Sequence, residues 1–490
     1  MKRTVFIAIT MLWVIPLHAQ KVLQLEDCRQ MALSHNISLQ MASENVKAAH
    51  QLTQAAFTQF LPNFSAMGSY SWNEKNISLL AEDALLPVGT KMSDGSFGFT
   101  PAQVSNGWTL VNGQPVPLDA SGKPFDPHAN PDKILWKNYA ILPKESMEFD
   151  TKNIFIGGIS MVQPVYLGGK IRELYRISKY SEQLAVAKQE NQTAELLVEV
   201  DEAYWRVVSL KSKVDLAREY RDLLMKVDTN VSIMIAEGTA TKADALRVKV
   251  KLSETDISLT KAENGLVLSR MALNQLCGMP ADDNTPLADQ ELDIPIKIAE
   301  LPAIDKAISN RPEIHMLTQA ENIAKSGERL MVSRFLPNIA LTGNYLVSNP
   351  NMYNGYEKKF AGMFNVGVVA NVPIFHFGDK LHTLKAAKIE HSIASLKLQD
   401  AKEKIELQIS QSSFRVNESI KQQLETEHNI SLAEENLRTA NEGFEAGVIT
   451  STDLLGAQAA WLSAKSENID AKIDSKLCTL YLQKALGNLK

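Results

Sequence analysis

The stretch FLPNFSAMGSYSW at residues 60–72 recurs as FLPNIALTGNYLV at residues 335–347, 275 positions later in the chain. After Leu-Pro-Asn in each copy, apolar or aromatic residues alternate with residues that are mostly small or polar. A period of two residues predicts a β-strand with one apolar face. The proline predicts that a helix ends just before the strand, because it restricts the preceding residue to extended backbone. We therefore expect helix-to-strand junctions at Leu61, Pro62, Leu336 and Pro337.

The two copies belong to a duplication that covers most of the chain. A second set of matches, at a spacing of 209 residues, pairs Pro164 with Pro373, Gly169 with Gly378, Gly238 with Gly447, Asp244 with Asp453, and Gly278 with Gly487. Five matches at one spacing predict an internal two-fold repeat. The two spacings, 275 and 209, differ by 66 residues, which places an insertion in the first half between Trp72 and Pro164.

Long helices are predicted in the second part of each repeat. Residues 165–279 and 374–490 contain no proline, which breaks helix interiors. Each tract is interrupted once, by EGTAT around Gly238 and by EAGVITS around Gly447, where a glycine ends one helix and Thr or Ser begins the next. We therefore expect two helical hairpins, each with a first arm of about 100 Å. The strand-to-helix junctions are expected at Pro164, Gly169, Pro373 and Gly378.

A second strand is predicted before each hairpin, at residues 153–163 and 363–372. Each strand has about ten residues, which suits a tilted strand that crosses a membrane. Four strands cannot close a wide barrel, so they form either an ordinary small sheet or part of a barrel shared between copies. Three copies would supply 12 strands.

These elements divide the chain into four segments. Residues 1–19 combine a basic start with an apolar stretch and a small Ala19, which predicts a secretory signal peptide. The first repeat is expected at residues 20–280, with a long loop at about 73–150, and the second at residues 304–490. An acidic, proline-bearing linker at residues 281–303 joins them.

Composition excludes several classes of function. The net charge of −5 and the lack of a basic run argue against a nucleic-acid partner. The chain has none of the motifs HExxH, GxSxG, P-loop or Cys-x-x-Cys, so we expect no enzyme activity and no cofactor or metal. Cys28, Cys277 and Cys478 are odd in number and have no metal spacing, which predicts buried thiols and no disulfide framework.

The sequence resembles the TolC family of outer-membrane channel proteins from about residue 25 to residue 489, apart from the long loop. The resemblance rests on the two Leu-Pro-Asn phrases, on the prolines before Gly169 and Gly378, and on GFEAGVITSTDLLGAQ at residues 443–458. It implies a mixed α+β membrane protein. Three protomers, with four strands each, would form a 12-stranded outer-membrane β-barrel that a coiled-coil α-helical barrel continues into the periplasm.

The resemblance also implies a function and its partners. The chain would be the exit duct of a tripartite efflux or type I secretion system in the outer membrane of a Gram-negative bacterium, and the 73–150 loop would be extracellular. A periplasmic adaptor protein would connect it to an inner-membrane RND or ABC transporter, and outer-membrane lipids would surround it. The adaptor would dock at the tip turns, formed by Gly238, Thr239, Ala240, Gly447, Val448 and Ile449.

Asp453 matches an acidic position that narrows the periplasmic aperture in some relatives, and Asp244 is its counterpart in the first half. Three such carboxylates around an axis would attract cations. The chain departs from those relatives at Gly456, where they carry a second acid, and at Ile449, where they carry an arginine. The alternative role for Asp453 is a helix N-terminal residue favoured by the helix dipole.

A second interpretation of the whole chain stays open from the sequence alone. A soluble periplasmic coiled-coil adaptor or structural protein would account for the helices and the signal peptide. It would not account for two strand pairs with aromatic ends.

Overall fold

The computed structural model describes residues 22–87, 139–288 and 304–489, together with short pieces between residues 90 and 126. The predicted signal peptide and most of the predicted linker lie outside the described residues. The chain forms two compact units. A helical unit comprises the chain up to Thr58, Gly168–Leu336 and the chain from Pro373, and a strand unit comprises Gln59–Leu167 and Pro337–Val372. Both predicted repeats contribute to both units.

The described part of the helical unit contains eight α-helices. They are α1 (Leu25–His35), α2 (Ile37–Thr58), α3 (Lys170–Ala236), α4 (Lys242–Cys277), α5 (Ile304–Asn310), α6 (Pro312–Ser333), α7 (Asp379–Glu445) and α8 (Ser451–Ala485). The long helices α3 and α7 both have 67 residues. At 1.5 Å per residue, each is about 100 Å long.

Glycine sets the bounds of the two long helices. Gly169 and Gly378 precede α3 and α7 with φ angles of 85° and 89°, and Gly238 and Gly447 follow them with φ angles of 78° and 71°. Only glycine adopts this left-handed conformation without a steric penalty. The helices therefore begin and end where the sequence predicts.

Packing joins the helices into two antiparallel hairpins. Helix α3 packs on α4 and α7 packs on α8, while α6 packs on both α3 and α7. Near the N-terminus, Arg29 of α1 donates two hydrogen bonds of 2.7 and 2.6 Å to the buried carboxylate of Asp201 in α3. This paired geometry compensates the cost of burying the charge.

The main sheet of the strand unit has four antiparallel strands in the order β1-β10-β11-β12. The described strands are β1 (Asn63–Trp72), β2 (Ile77–Ser78), β3 (Ala84–Pro87), β4 (Thr90–Lys91), β5 (Phe97–Gly98), β6 (Trp108–Val111), β7 (Gln114–Pro117), β8 (Tyr139–Leu142), β9 (Glu148–Phe149), β10 (Asn153–Leu167), β11 (Asn338–Asn349) and β12 (Ala361–Asn371). The small strands pair as β2-β9, β3-β8, β4-β5 and β6-β7, and all lie in the predicted 73–150 loop.

The structure corrects one predicted junction. Pro164 was expected where the strand gives way to the helix, but β10 continues past it to Leu167. The register against β11 shifts between Pro164 and Tyr166. A proline has no N–H for the ladder, and a bulge lets the strand accommodate it. Of the two predicted residues, Gly169 alone therefore marks the first strand-to-helix junction. At the second junction, Pro373 does follow the end of β12 at Asn371.

The two faces of the main sheet differ in chemistry. Cross-strand pairs such as Phe64 with Met161 and Leu341 with Val368 form one apolar face. On the other face the side chains hydrogen-bond across strands, with 2.6 Å between the hydroxyls of Ser65 and Ser160, and similar bonds between Asn344 and Asn365 and from Thr342 to Gly367. The apolar face is exposed in the single chain, with Phe364 at 68% and Val368 at 69%.

Three further features of the described residues bear on function. Cys28, Cys277 and Cys478 are all buried, as predicted. His376 and His382 belong to no cluster of three or more metal-binding side chains in the described residues. In that same part of the chain, the helices lack the combination of length and apolar content needed to cross a membrane.

Candidate functional site: the paired helical tips

The turn between α3 and α4 is built by backbone hydrogen bonds to the last turn of α3. The N–H groups of Thr239 and Ala240 donate to the carbonyl of Met234 at 2.8 and 3.2 Å, and Gly238 donates to Ile235 at 3.1 Å. Thr241 then caps α4. Its hydroxyl accepts from the backbone N–H of Asp244, whose carboxylate accepts in return from the backbone N–H of Thr241. This reciprocal capping box fixes where α4 begins.

The turn between α7 and α8 has the same geometry. Val448 and Ile449 donate to the carbonyl of Gly443 at 2.8 and 3.3 Å, and Gly447 donates to Phe444 at 2.9 Å. Thr450 and Asp453 form the capping box of α8. Each donor and acceptor in the second turn lies 209 residues after its counterpart in the first.

The six predicted docking residues divide into exposed and packed groups. Gly238, Thr239, Gly447 and Val448 are exposed, and Val448 has 79% of its surface accessible. Ala240 and Ile449, by contrast, pack against the hydrophobic cluster below the tips. The outer surface of each turn is therefore a glycine followed by one exposed side chain.

Asp244 links the two turns, which the sequence did not predict. The Ser451 hydroxyl donates to Oδ1 of Asp244 at 2.8 Å, and Arg247 lies 3.3 Å from the same oxygen. Arg247 also lies 3.4 Å from the Thr452 hydroxyl. Hydrogen bonds from Thr241 and then from Ser451 lower the pKa of Asp244 to about 2. The carboxylate is therefore ionised at neutral pH and holds the start of α4 to the start of α8.

Asp453 makes no equivalent link in the described part of the chain. Its carboxylate accepts only from the backbone N–H and hydroxyl of Thr450. At the spacing of 209 residues, Lys242 corresponds to Ser451, and Gly456 corresponds to Arg247. In the single chain, Asp453 therefore completes a helix cap, and its role at the periplasmic aperture stays a prediction.

A shared hydrophobic cluster supports both tips. It combines Leu224, Val227 and Val231 of α3 and Val248 of α4 with Leu437 and Phe444 of α7 and Leu454 and Trp461 of α8. Gln458 is also fully buried nearby on α8, and its Oε1 has no hydrogen-bond partner among the described residues. The two hairpins therefore pack as one body at the tips, with one unsatisfied polar group on α8.

The four predicted helix-to-strand junction residues lie between a helix and a strand. Leu61 and Pro62 fall between α2 and β1, and Leu336 and Pro337 between α6 and β11. Gly168, one residue before Gly169, is also left-handed at φ 62°, and a Cβ there would meet Leu336 and the Ser333 carbonyl at 2.7 Å. At the start of α7, Arg334 pairs with Asp379 at 3.2 Å. The starts of α3 and α7 thus both contact the end of α6.

The combination of long paired helices, a four-stranded sheet with an exposed apolar face, and exposed turns at the helical tips is typical of a channel protein. The family of outer membrane efflux proteins matches residues 144–279 and 303–488. The chain therefore belongs to this family, which confirms the resemblance drawn from the sequence. It is an outer-membrane channel protein that reaches into the periplasm, and not an enzyme. The family match sets aside the alternative of a soluble coiled-coil adaptor.

Individual relatives agree with the family. The chain is 23% identical to the alkaline protease secretion protein AprF of Pseudomonas aeruginosa over 339 residues, which cover 68% of each chain. Among solved structures, the outer-membrane channel OprN has a TM-score of 0.72 at 14% identity, over 95% of this chain and 90% of that one. The open state of the MtrE outer membrane channel of Neisseria gonorrhoeae has a TM-score of 0.71 at 17% identity, over 95% and 89%.

Proposed function

We propose that three copies of this chain form the exit duct of a tripartite efflux or type I secretion system. The observation that carries this proposal is the main sheet, whose apolar face is exposed and whose opposite face carries cross-strand hydrogen bonds between polar side chains. An apolar outward face and a polar inward face are the pattern of a membrane-spanning β-barrel with an aqueous interior.

The edges of the sheet support an assembly of several copies. Strands β1 and β12 are the two edges, so each has one side without a partner strand in the described part of the single chain. If β12 of one copy pairs with β1 of the next, the same contact repeats head to tail and closes a ring. Three copies give 12 strands, which is a barrel wide enough to leave a channel.

The tips are the proposed docking surface for a periplasmic adaptor protein, which would connect the duct to an inner-membrane RND or ABC transporter. Thr239 and Val448 are the exposed side chains of the two turns, and the glycines beside them leave the backbone accessible. The carboxylates of Asp244 and Asp453 lie just behind these turns. We propose that both carboxylates line the periplasmic aperture, and that Asp244, through its link to Ser451, also joins the two hairpins.

The passage of small molecules or drugs is the proposed activity, and secretion of a protein is the second candidate because AprF is a secretion protein. The first experiment is the protein mass of the detergent-extracted particle from outer-membrane fractions, together with drug accumulation in cells that lack the chain. A mass near three chains of 54.2 kDa and raised drug accumulation would support the duct. A particle of one or two chains would contradict the trimer, and unchanged accumulation with lost protein secretion would favour the second candidate.

A further inference from the structure

Two of the three cysteines meet in the structure although 249 residues separate them. Cys28 lies in the first helix of the described chain, and Cys277 is the last residue of α4. The Sγ atom of Cys277 lies 3.6 Å from the backbone carbonyl oxygen of Cys28, and both residues are buried, at 1% and 0% exposure. Their side chains belong to one hydrophobic cluster with Val200 and Tyr204 of α3.

The backbones around this pair are tightly apposed. Gly278 follows Cys277 with a φ of 70°, and a Cβ at this glycine would lie 2.7 Å from Cβ of His35 at the end of α1. The side of α1 that carries Cys28 is also held to α3 by the Arg29–Asp201 ion pair. Contacts made by neighbouring residues therefore hold both cysteines in place.

Burial limits the reactivity of the folded thiols. The hydrogen bond with Cys277 and then burial raise the pKa of the Cys28 thiol above its usual range, whereas the hydrogen bond with Cys28 lowers the pKa of the Cys277 thiol. Since both side chains are buried, exchange with an external thiol or disulfide is slow once the helices have packed. A bond between the two sulfur atoms would have to form before or during packing, and burial would then shield it from reductants.

Cys478 provides an internal comparison. It lies on α8 in a different hydrophobic cluster, and its Sγ atom contacts the carboxylate of Asp474 at 3.8 Å. In the described residues no second thiol lies in its cluster.

We propose that Cys28 and Cys277 form a disulfide bond in the exported protein, although the sequence predicted none. A periplasmic thiol–disulfide oxidoreductase would supply the oxidising equivalents. One cysteine thiolate attacks the disulfide of that enzyme and forms a mixed disulfide, and the second cysteine then displaces the enzyme's sulfur. The chain loses two protons and two electrons, and the enzyme's disulfide becomes a dithiol. The bond ties the first helix to the end of the first helical hairpin.

The test is thiol counting on the full-length protein extracted from outer membranes. The protein is denatured in the presence of N-ethylmaleimide without reductant, and the products are analysed by mass spectrometry. We expect one modified cysteine per chain, at Cys478, and a linked peptide pair that contains Cys28 and Cys277. After reduction, three cysteines should be modified. Modification of all three without reductant would overturn the proposal, whatever the outcome for efflux.

Two variants provide the controls. Cys28→Ser should leave Cys277 open to modification without reductant, whereas Cys478→Ser should leave the linked peptide pair unchanged. Reductant should lower the thermal unfolding midpoint of the wild-type particle by several degrees and leave that of the Cys28→Ser/Cys277→Ser variant unmoved. An equal shift in both proteins would show that the bond does not contribute to stability, and would contradict its role as a tie between helices.

Discussion

At the scale of single residues, the two capping aspartates differ in their contacts, because only Asp244 also accepts a hydrogen bond from the other hairpin. Asp453→Ala removes the N3 half of a capping box, which costs about 0.3–1.5 kcal/mol. Asp244→Ala removes a cap and also the hydrogen bond from Ser451, and a hydrogen bond to a charged group contributes about 1.5–3 kcal/mol. We therefore expect faster hydrogen exchange at the tip amides and a larger channel conductance for Asp244→Ala than for Asp453→Ala.

Ser451→Ala serves as the partner variant in this comparison, because it removes the link and leaves both caps in place. If the link joins the hairpins, Ser451→Ala should add little to Asp244→Ala in the double variant. Additive effects of the two substitutions would show that they act independently, which would contradict the link between the hairpins.

The same link predicts a response to pH. Hydrogen bonds lower the pKa of Asp244 to about 2, below the value of about 3.9 for an aspartate in an unfolded chain. An acid with a lowered pKa stabilises the folded state above its unfolded pKa, and this contribution is lost as the pH falls through the folded value. Tip amides should therefore keep their protection from pH 7 to pH 4.5 and lose it toward pH 2, after correction for intrinsic exchange rates. Asp244→Asn should abolish this difference.

Two glycines near the second tip give a matched test of backbone conformation. Neither Gly447 nor Gly456 has an atom within 4 Å of a built Cβ, but only Gly447 is left-handed. Gly447→Ala should destabilise the turn by about 1–2 kcal/mol through backbone strain. Gly456→Ala, inside α8, should stabilise the helix by up to about 1 kcal/mol. Thermal unfolding measures both, and a loss of stability in both variants would contradict the assignment of strain to the turn.

At the scale of elements, the long loop is separable from the main sheet. The strands β3 and β8 pair so that Pro87 lies opposite Tyr139. A two-residue Asn-Gly turn can therefore replace residues 88–138 and close a hairpin. We expect the shortened chain to assemble and to support efflux at the wild-type level, as measured by particle mass and drug accumulation. Loss of assembly would show that these residues contribute to the contacts between copies.

The elements that the sequence predicted are those set by local chemistry. Gly169, Gly238, Gly378 and Gly447 mark helix ends because left-handed backbone needs glycine, whatever the helix packs against. The bulge at Pro164 depends instead on how β10 pairs with β11. From the local sequence alone, the proline wrongly predicted the end of the strand. The link from Asp244 to Ser451 spans 207 residues and has no local motif at all. The shared spacing of 209 residues was the one sequence signal from which a contact between the two turns could have been predicted.

At the scale of the whole molecule, the proposed barrel predicts that a lysine is tolerated on one face of β12 and not on the other. Val368 lies on the apolar face of β12, paired with Leu341, and Asn365 lies on the polar face. Val368→Lys would place a charge among lipid chains, which costs about 2–4 kcal/mol near the middle of a bilayer. Asn365→Lys would face water and should be tolerated. The yield of assembled particles in outer-membrane fractions should fall for the first variant alone, and equal yields would argue against a lipid-facing surface.

The equal length of α3 and α7 restricts which insertions and deletions the two helices can accept during evolution. Both helices start against the end of α6, near Ser333 and Arg334, and both lead into turns that Asp244 and Ser451 hold together. Removing seven residues from one helix would draw its turn back by about 10 Å, far beyond hydrogen-bond reach. A viable deletion in one half therefore requires a matching deletion in the other. The two halves can diverge in sequence elsewhere, but the lengths of α3 and α7 must change together.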